Sequence, residues 1–132
     1  MKKFIILLTL LSVSLFAELK NAYMTQEMLD SNMPIVDIRT PPEWVETGLL
    51  KDVIPIMFFN QQGKYDINGF LKELNAKIDT TKPFAIICHT GSRTSMIAPW
   101  MSQELGYKVT NIQGGMDYAT KGLKMKTYPY KK

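Results

Sequence analysis

The chain of 132 residues contains one cysteine and one histidine, adjacent to each other as Cys88 and His89. A single thiol excludes an internal disulfide, and two neighbouring soft ligands are too few for a structural zinc site. Neither a GxGxxG turn nor a Walker loop occurs, so the usual nucleotide cradles are missing. Beyond the terminal Lys131-Lys132 pair there is no basic block to track a nucleic acid backbone. No apolar run reaches the ~20 residues that a membrane-spanning helix needs. Internal repeats and low-complexity tracts are absent too. These absences leave a single small domain whose unusual chemistry is concentrated at one thiol.

The N-terminus reads as a segment apart from that domain. Lys2 and Lys3 precede an apolar run, Phe4 to Phe16, interrupted only by Thr9, Ser12 and Ser14, and Ala17 then meets the polar Glu18-Leu19-Lys20. This order predicts a secretory signal peptide over residues 1–17, a single domain over 18–132, and a periplasmic location with no stable membrane anchor after cleavage. Loss of Lys2 and Lys3 takes the formal charge from +4 to +2, a balance that suits a small anionic substrate better than a nucleic acid. In an oxidising compartment an unused thiol is a hazard, so a lone cysteine there favours use over packing.

From Lys20 onward, short apolar runs alternate with helical patterns. Thr25 with Glu27 behind it predicts a helix start. Ile35-Val36-Asp37-Ile38 reads as a strand stopped by Pro41-Pro42, and Glu43 to Glu46 as one or two helical turns. Val53 to Met57 is a short strand with Pro55 near its edge. Phe70, Leu71, Leu74 and Ile78 recur at helical spacing. Phe84-Ala85-Ile86-Ile87-Cys88 is apolar on both faces, as in a parallel sheet covered on both sides. Met96, Ile97, Trp100, Met101 and Leu105 then share a helical face that ends at Gly106, with Pro99 inside it. Val109 to Ile112 is a last strand, followed by Gly114-Gly115 and a short helix near Met116 to Thr120. Strands separated by helices predict an α/β fold with right-handed crossovers.

Cys88 therefore falls at the carboxyl end of a buried strand, where ligands bind in open α/β sheets. The run Cys88-His89-Thr90-Gly91-Ser92-Arg93-Thr94 leads from it into a helix. A loop curling around the sulfur would point its N–H groups at one spot, and the helix N-terminus and Arg93 would add positive charge; all favour thiolate over thiol. Gly91 allows a backbone turn other residues resist, and the Thr94 hydroxyl suits a sulfur anion.

This loop resembles the active-site loop of single-domain rhodaneses, which reads Cys-x-x-Gly-x-Arg-Ser/Thr. Two flanking segments resemble the same family: Val36-Asp37-Ile38-Arg39-Thr40-Pro41-Pro42-Glu43-Trp44 with Gly48, and Ile112-Gln113-Gly114-Gly115-Met116 with Tyr118 and Gly122. Differences are Gly48-Leu49-Leu50 in place of Gly-His-Ile, Tyr118 in place of a tryptophan, and Pro99. The resemblance implies a three-layer α/β/α fold around a central, mainly parallel sheet of about five strands. It also implies a cofactor-free and metal-free sulfurtransferase of double-displacement type. Cys88 would take a sulfane sulfur from an anionic donor, thiosulfate or polysulfide, as a persulfide. It would then pass that sulfur to cyanide, a thiol or a partner protein. His89, Thr90, Gly91, Ser92, Arg93 and Thr94 would form the substrate-binding loop.

Other roles and functions compete with this reading. His89 reads as a loop residue lending its backbone N–H, with charge tuning of the thiol as the alternative. Arg93 is divided between bracing the loop and binding an anion. Asp37 reads as a structural partner at its strand end, and Arg39 stands evenly between that and facing the substrate. Trp44, Phe58, Phe59 and the methionines Met96, Met101, Met116 and Met125 read as packing. The same persulfide would serve a non-catalytic sulfur carrier. A phosphatase or arsenate-reductase relative would need a Cys-x5-Arg loop, one residue longer than the span from Cys88 to Arg93, so the shorter ring suits a sulfur atom and crowds a phosphate. A redox sensor would have no resolving cysteine within the chain.

Overall fold

The computed structural model describes residues 18–131, so the expected signal peptide over residues 1–17 lies outside the described residues. Five strands form one sheet: β1 (Leu19–Tyr23), β2 (Ile35–Asp37), β3 (Ile54–Pro55), β4 (Phe84–Ile87) and β5 (Val109–Gln113). Their order across the sheet is β1-β5-β4-β2-β3, and every neighbouring pair is parallel. Helices α1 (Gln26–Asp30), α2 (Pro41–Thr47), α3 (Ile67–Lys77), α4 (Ser92–Leu105) and α5 (Gly115–Asp117) intervene, and α5 runs into a π-helical turn, Tyr118–Gly122. Each parallel pairing needs a crossover, which places these helices on the sheet's faces.

Alternation along β4 divides the core into two layers. Phe84, Ile86 and Cys88 pack with Phe70 and Leu74 of α3 and with Ile97 and Met101 of α4. Ala85 and Ile87 point the other way, against Met24, Ile112, Met116 and Ala119, with Met28 and Leu29 of α1 beside them. Residues 84 to 88 are all fully buried, as a central parallel strand requires. The three-layer α/β/α arrangement expected from the sequence is thus present, with the sheet wholly parallel among the described residues.

Some local signals act where they were read. Thr25 caps α1, its hydroxyl oxygen accepting from the Met28 N–H at 3.0 Å. Gly106 ends α4 in the left-handed conformation. Helix α4 continues through Pro99, whose missing N–H deprives the Ser95 carbonyl of its usual donor. Two details differ from expectation. Met96 is not core; it is 62% exposed and sits on the solvent side of α4. β1 is a strand that the sequence pattern does not predict, because Leu19-Lys20-Asn21-Ala22-Tyr23 is a mostly exposed edge segment. Asn111 ties that edge inward by donating to the Asn21 side-chain oxygen at 2.9 Å and to the Ser95 hydroxyl at 3.2 Å.

The C-terminal stretch returns to α2. Leu49 and Tyr128 exchange backbone hydrogen bonds of 2.9 and 2.8 Å, and the Tyr130 ring lies 5.2 Å from that of buried Trp44.

Candidate active site

Cys88 follows directly on β4 and is completely buried. Its sulfur accepts the Gly91 N–H at 3.2 Å and lies 3.7 Å from the Thr94 hydroxyl. Gly91 makes that approach possible with φ +97° at the cap of α4, in the region other residues enter with strain. The first internal bond of α4 runs from the Ser95 N–H to the Gly91 carbonyl. The N–H groups of Ser92, Arg93 and Thr94 therefore precede any helical acceptor and give the loop the positive end of a 14-residue helix. Thr94 can face the sulfur in two ways. Its hydroxyl reaches the Gly91 carbonyl at 3.2 Å and accepts from a thiol, or it rotates and donates to a sulfur anion.

The loop is held at both ends. On one side Arg93 donates to both carboxylate oxygens of Glu43, at 2.7 and 2.8 Å, the fork geometry of the strongest ion pairs. Glu43 also accepts from the Thr40 N–H at 3.1 Å and the Thr40 hydroxyl at 3.0 Å, where α2 begins. Burial alone would push this carboxyl up. Hydrogen bonds from Arg93 and Thr40 and the guanidinium charge outweigh it and hold Glu43 down at about 2. The same hydrogen bond raises Arg93 above its ordinary value against the opposing effect of burial. Both terminal nitrogens of Arg93 are thus directed to Glu43, the bracing half of its two expected roles.

On the other side the loop carbonyls are capped by the turn after β5. The Met116 N–H donates to the Cys88 carbonyl at 2.8 Å and the Asp117 N–H to that of His89 at 3.0 Å. That contact explains Gly114-Gly115. A Cβ on Gly115 would lie 2.5 Å from the His89 carbonyl oxygen and nearer still to that of Cys88, and Gly115 has φ +57°. The His89 ring turns the same way, with Nε2 3.1 Å from Asp117 Oδ1, which Lys121 approaches at 3.4 Å. Thr90 and Ser92 carry exposed hydroxyls 3.4 Å apart at the loop's outer rim.

Asp37 and Arg39 form a second, fully buried unit. Arg39 Nε bonds both Asp37 oxygens at 3.0 Å and its NH2 bonds one of them at 2.9 Å. The remaining reach of Arg39 goes to the Thr47 hydroxyl at 2.7 Å and the Gly48 carbonyl at 2.8 Å. At 1% and 0% exposure the pair fastens the end of α2 to the end of β2, which positions Glu43 from behind.

Two clefts flank the loop, and Glu43 lines both. One, about 280 Å³, is bordered by His89, Asp117, Lys121 and Glu46. The other, about 730 Å³, is bordered by Arg93, Met96, Phe59 and Asn60. Among the described residues no three His, Cys, Asp or Glu side chains cluster as a metal site. Glu43 as the partner of Arg93, and Asp117 as the partner of His89, went unrecognised in sequence. The partners lie 50 and 28 residues apart, and no local periodicity reports such a pairing.

This geometry agrees with what the chain is similar to. A family model described as "Rhodanese-like domain" matches residues 17–120. "Uncharacterized protein RP600" from Rickettsia prowazekii (strain Madrid E) is 32% identical over 109 residues, covering 78% of this chain and 86% of that protein. The crystal structure of Rv0390 from M. tuberculosis superposes with a TM-score of 0.60 at 22% identity, over 74% of this chain and 80% of that one. A rhodanese-like domain protein from Staphylococcus aureus does so at 0.56 and 22%, over 74% and 87%. The match takes in all five strands and both anchors of the cysteine loop, and on it the chain belongs to the rhodanese-like domain family.

Proposed function

We propose that the protein is a sulfurtransferase that carries sulfane sulfur as a Cys88 persulfide. The observation supporting this most is the setting of the sulfur. It accepts a loop N–H at the start of a long helix, inside a loop braced by Arg93 and Glu43. An anion on sulfur gains from every one of those dipoles, and they are aligned before the reaction begins. The Cys88 thiolate attacks the outer sulfur of thiosulfate or polysulfide, an S–S bond forms, and sulfite or the shortened polysulfide leaves with the bonding pair. An acceptor nucleophile then takes the outer sulfur and returns Cys88 as thiolate, so the two half-reactions are separate. Burial of Cys88 keeps the persulfide from water and oxidants between them. Release of the protein from its leader into the periplasm belongs to the same proposal, since sulfane donors there would meet a thiol with no internal disulfide partner.

Intact-mass measurement tests the proposal. Treatment with thiosulfate or polysulfide should add about 32 Da, one sulfur atom, and Cys88→Ala should abolish the gain. Absence of any adduct with either donor would overturn the reading. Steady-state turnover with cyanide then separates an enzyme from a carrier that hands its sulfur to one protein.

A further inference from the structure

Glu43 bears on which sulfur donor the loop accepts, an inference that rests on the persulfide reading above and narrows its donor. Each of the two clefts that flank the loop is lined by Glu43, the residue they have in common. A donor approaching from either side therefore passes the same carboxylate. Held at about 2, Glu43 is ionised throughout the neutral range. Its partner Arg93 adjoins Thr94, whose hydroxyl is 3.7 Å from the Cys88 sulfur. Arg93 is raised first by its hydrogen bond to Glu43 and, to a smaller extent, by the charges of Glu43, Cys88 and Asp37. The ion pair thus lies within electrostatic reach of the sulfur, and a field acts there without a side chain having to touch the donor.

The loop offers a good place for one negative charge and none for a second. The Cys88 sulfur accepts the Gly91 N–H at 3.2 Å, and the N–H groups that begin α4 stand behind it. A sulfane sulfur delivered to Cys88 keeps its charge among these dipoles. The rest of the donor must point outward, toward the clefts, and there each cation already faces a carboxylate. Arg93 meets Glu43 at 2.7 Å, Arg39 meets Asp37 at 2.9 Å, and Lys121 approaches Asp117 at 3.4 Å. Glu46 adds one more carboxylate to the cleft beside His89. The other cleft is otherwise bordered by neutral groups, among them Phe59, Asn60 and the exposed Met96. Thiosulfate would bring its second charge into these surroundings, where a like charge is costly and no free cation offsets it.

We propose that Glu43 is a specificity-determining residue that disfavours dianionic thiosulfate, and that the donor is an organic sulfane compound carrying a single negative charge. A thiosulfonate shows the step in its simplest form. The Cys88 thiolate attacks the outer sulfur and forms an S–S bond. The bond between the outer sulfur and the sulfonyl sulfur breaks, and its electron pair leaves on the sulfinate. The charge of the outer sulfur stays on the Cys88 persulfide. One S–S bond is exchanged for another, so no outside oxidant or reductant enters. Glu43 touches none of the reacting atoms; it acts by cancelling the charge of Arg93.

The test is the rate of sulfur loading, read by intact mass, with two donors. Thiosulfate is a dianion; methanethiosulfonate is a monoanion in which a methyl group replaces one anionic oxygen. In the unaltered protein the ratio of thiosulfate to methanethiosulfonate rates should rise as salt goes from about 0.01 to about 1 M, where the screening length shrinks from about 30 to about 3 Å. Glu43→Gln keeps the length of the side chain and an oxygen for Arg93 but removes the charge. Its ratio at low salt should rise about 10-fold, the effect of one nearby charge on one extra charge of the donor, and should then fall with salt. Glu43→Asp keeps the charge on a shorter arm, so it should slow both donors alike and leave the ratio where it was. An unchanged ratio in Glu43→Gln, an equal shift in Glu43→Asp, or a native ratio that falls with salt would overturn the assignment while leaving the persulfide chemistry intact. Failure of the unaltered protein to load sulfur from either donor would instead overturn the sulfurtransferase reading and this one with it.

Discussion

At the scale of single residues, the site depends on two glycines for opposite reasons. Gly91 lets the loop turn toward the sulfur, while Gly115 lets a second segment approach the loop from outside. Gly115→Ala should be the more damaging change. It places a methyl group against two carbonyl oxygens in a left-handed conformation, and should cost about 3 kcal/mol in chemical denaturation. Persulfide loading should fall with it, because the Cys88 and His89 carbonyls must move. The loop residues were legible in sequence because Cys88, Gly91, Arg93 and Thr94 sit within a few positions of each other. Their partners were not. Glu43 looks like an ordinary acidic residue in the first turn of a helix, and Asp117 like another, until the fold brings α2 and α5 to the same strand end.

Among elements, α2 carries the most consequence for its length. Its seven residues present Glu43 to Arg93 at one end, and receive Arg39 through Thr47 and Gly48 at the other. Glu43 titrates at about 2 in the folded protein against an ordinary 4.5. A depressed carboxyl contributes stability that is complete above its unfolded value and is lost as pH falls. The Arg93–Glu43 contribution should therefore disappear between about pH 4.5 and about pH 2. Glu43→Gln should lower stability by about 2 kcal/mol at neutral pH, and the two proteins should converge toward pH 2 in thermal melts. A constant difference across that range would show that the pair does not govern the acid response. The strands were unevenly legible. β4 announces itself by four apolar residues in succession, with Cys88 directly behind them. β1 pairs on one side only and stays wet, so nothing compels its side chains to be apolar, and its pattern is that of a loop.

For the whole molecule, the family match ends at residue 120, but the chain beyond it is built into the structure. Tyr128 joins Leu49, and the Tyr130 ring packs on Trp44 of α2. Ending the chain at Lys126 should lower the melting temperature by about 3–6 °C, the shift expected for roughly 1 kcal/mol in a domain of this size. No change would mean that the contact is too weak to matter. This return was invisible in sequence, since two exposed-looking tyrosines among lysines resemble a solvated tail. The same global view gives the sheet order a temporal meaning. β1 pairs only with β5, with Leu19 beside Val109 and Tyr23 beside Gln113. Among the described residues, the first strand thus waits for the fifth. A ribosome would emit some ninety intervening residues before that seam closes, and closing so distant a pair is a slow event in folding. The nascent chain can assemble β2, β3 and β4 early, but β1 gains its strand partner only once β5 has been made, which leaves a long interval in which that edge stays open to other handlers.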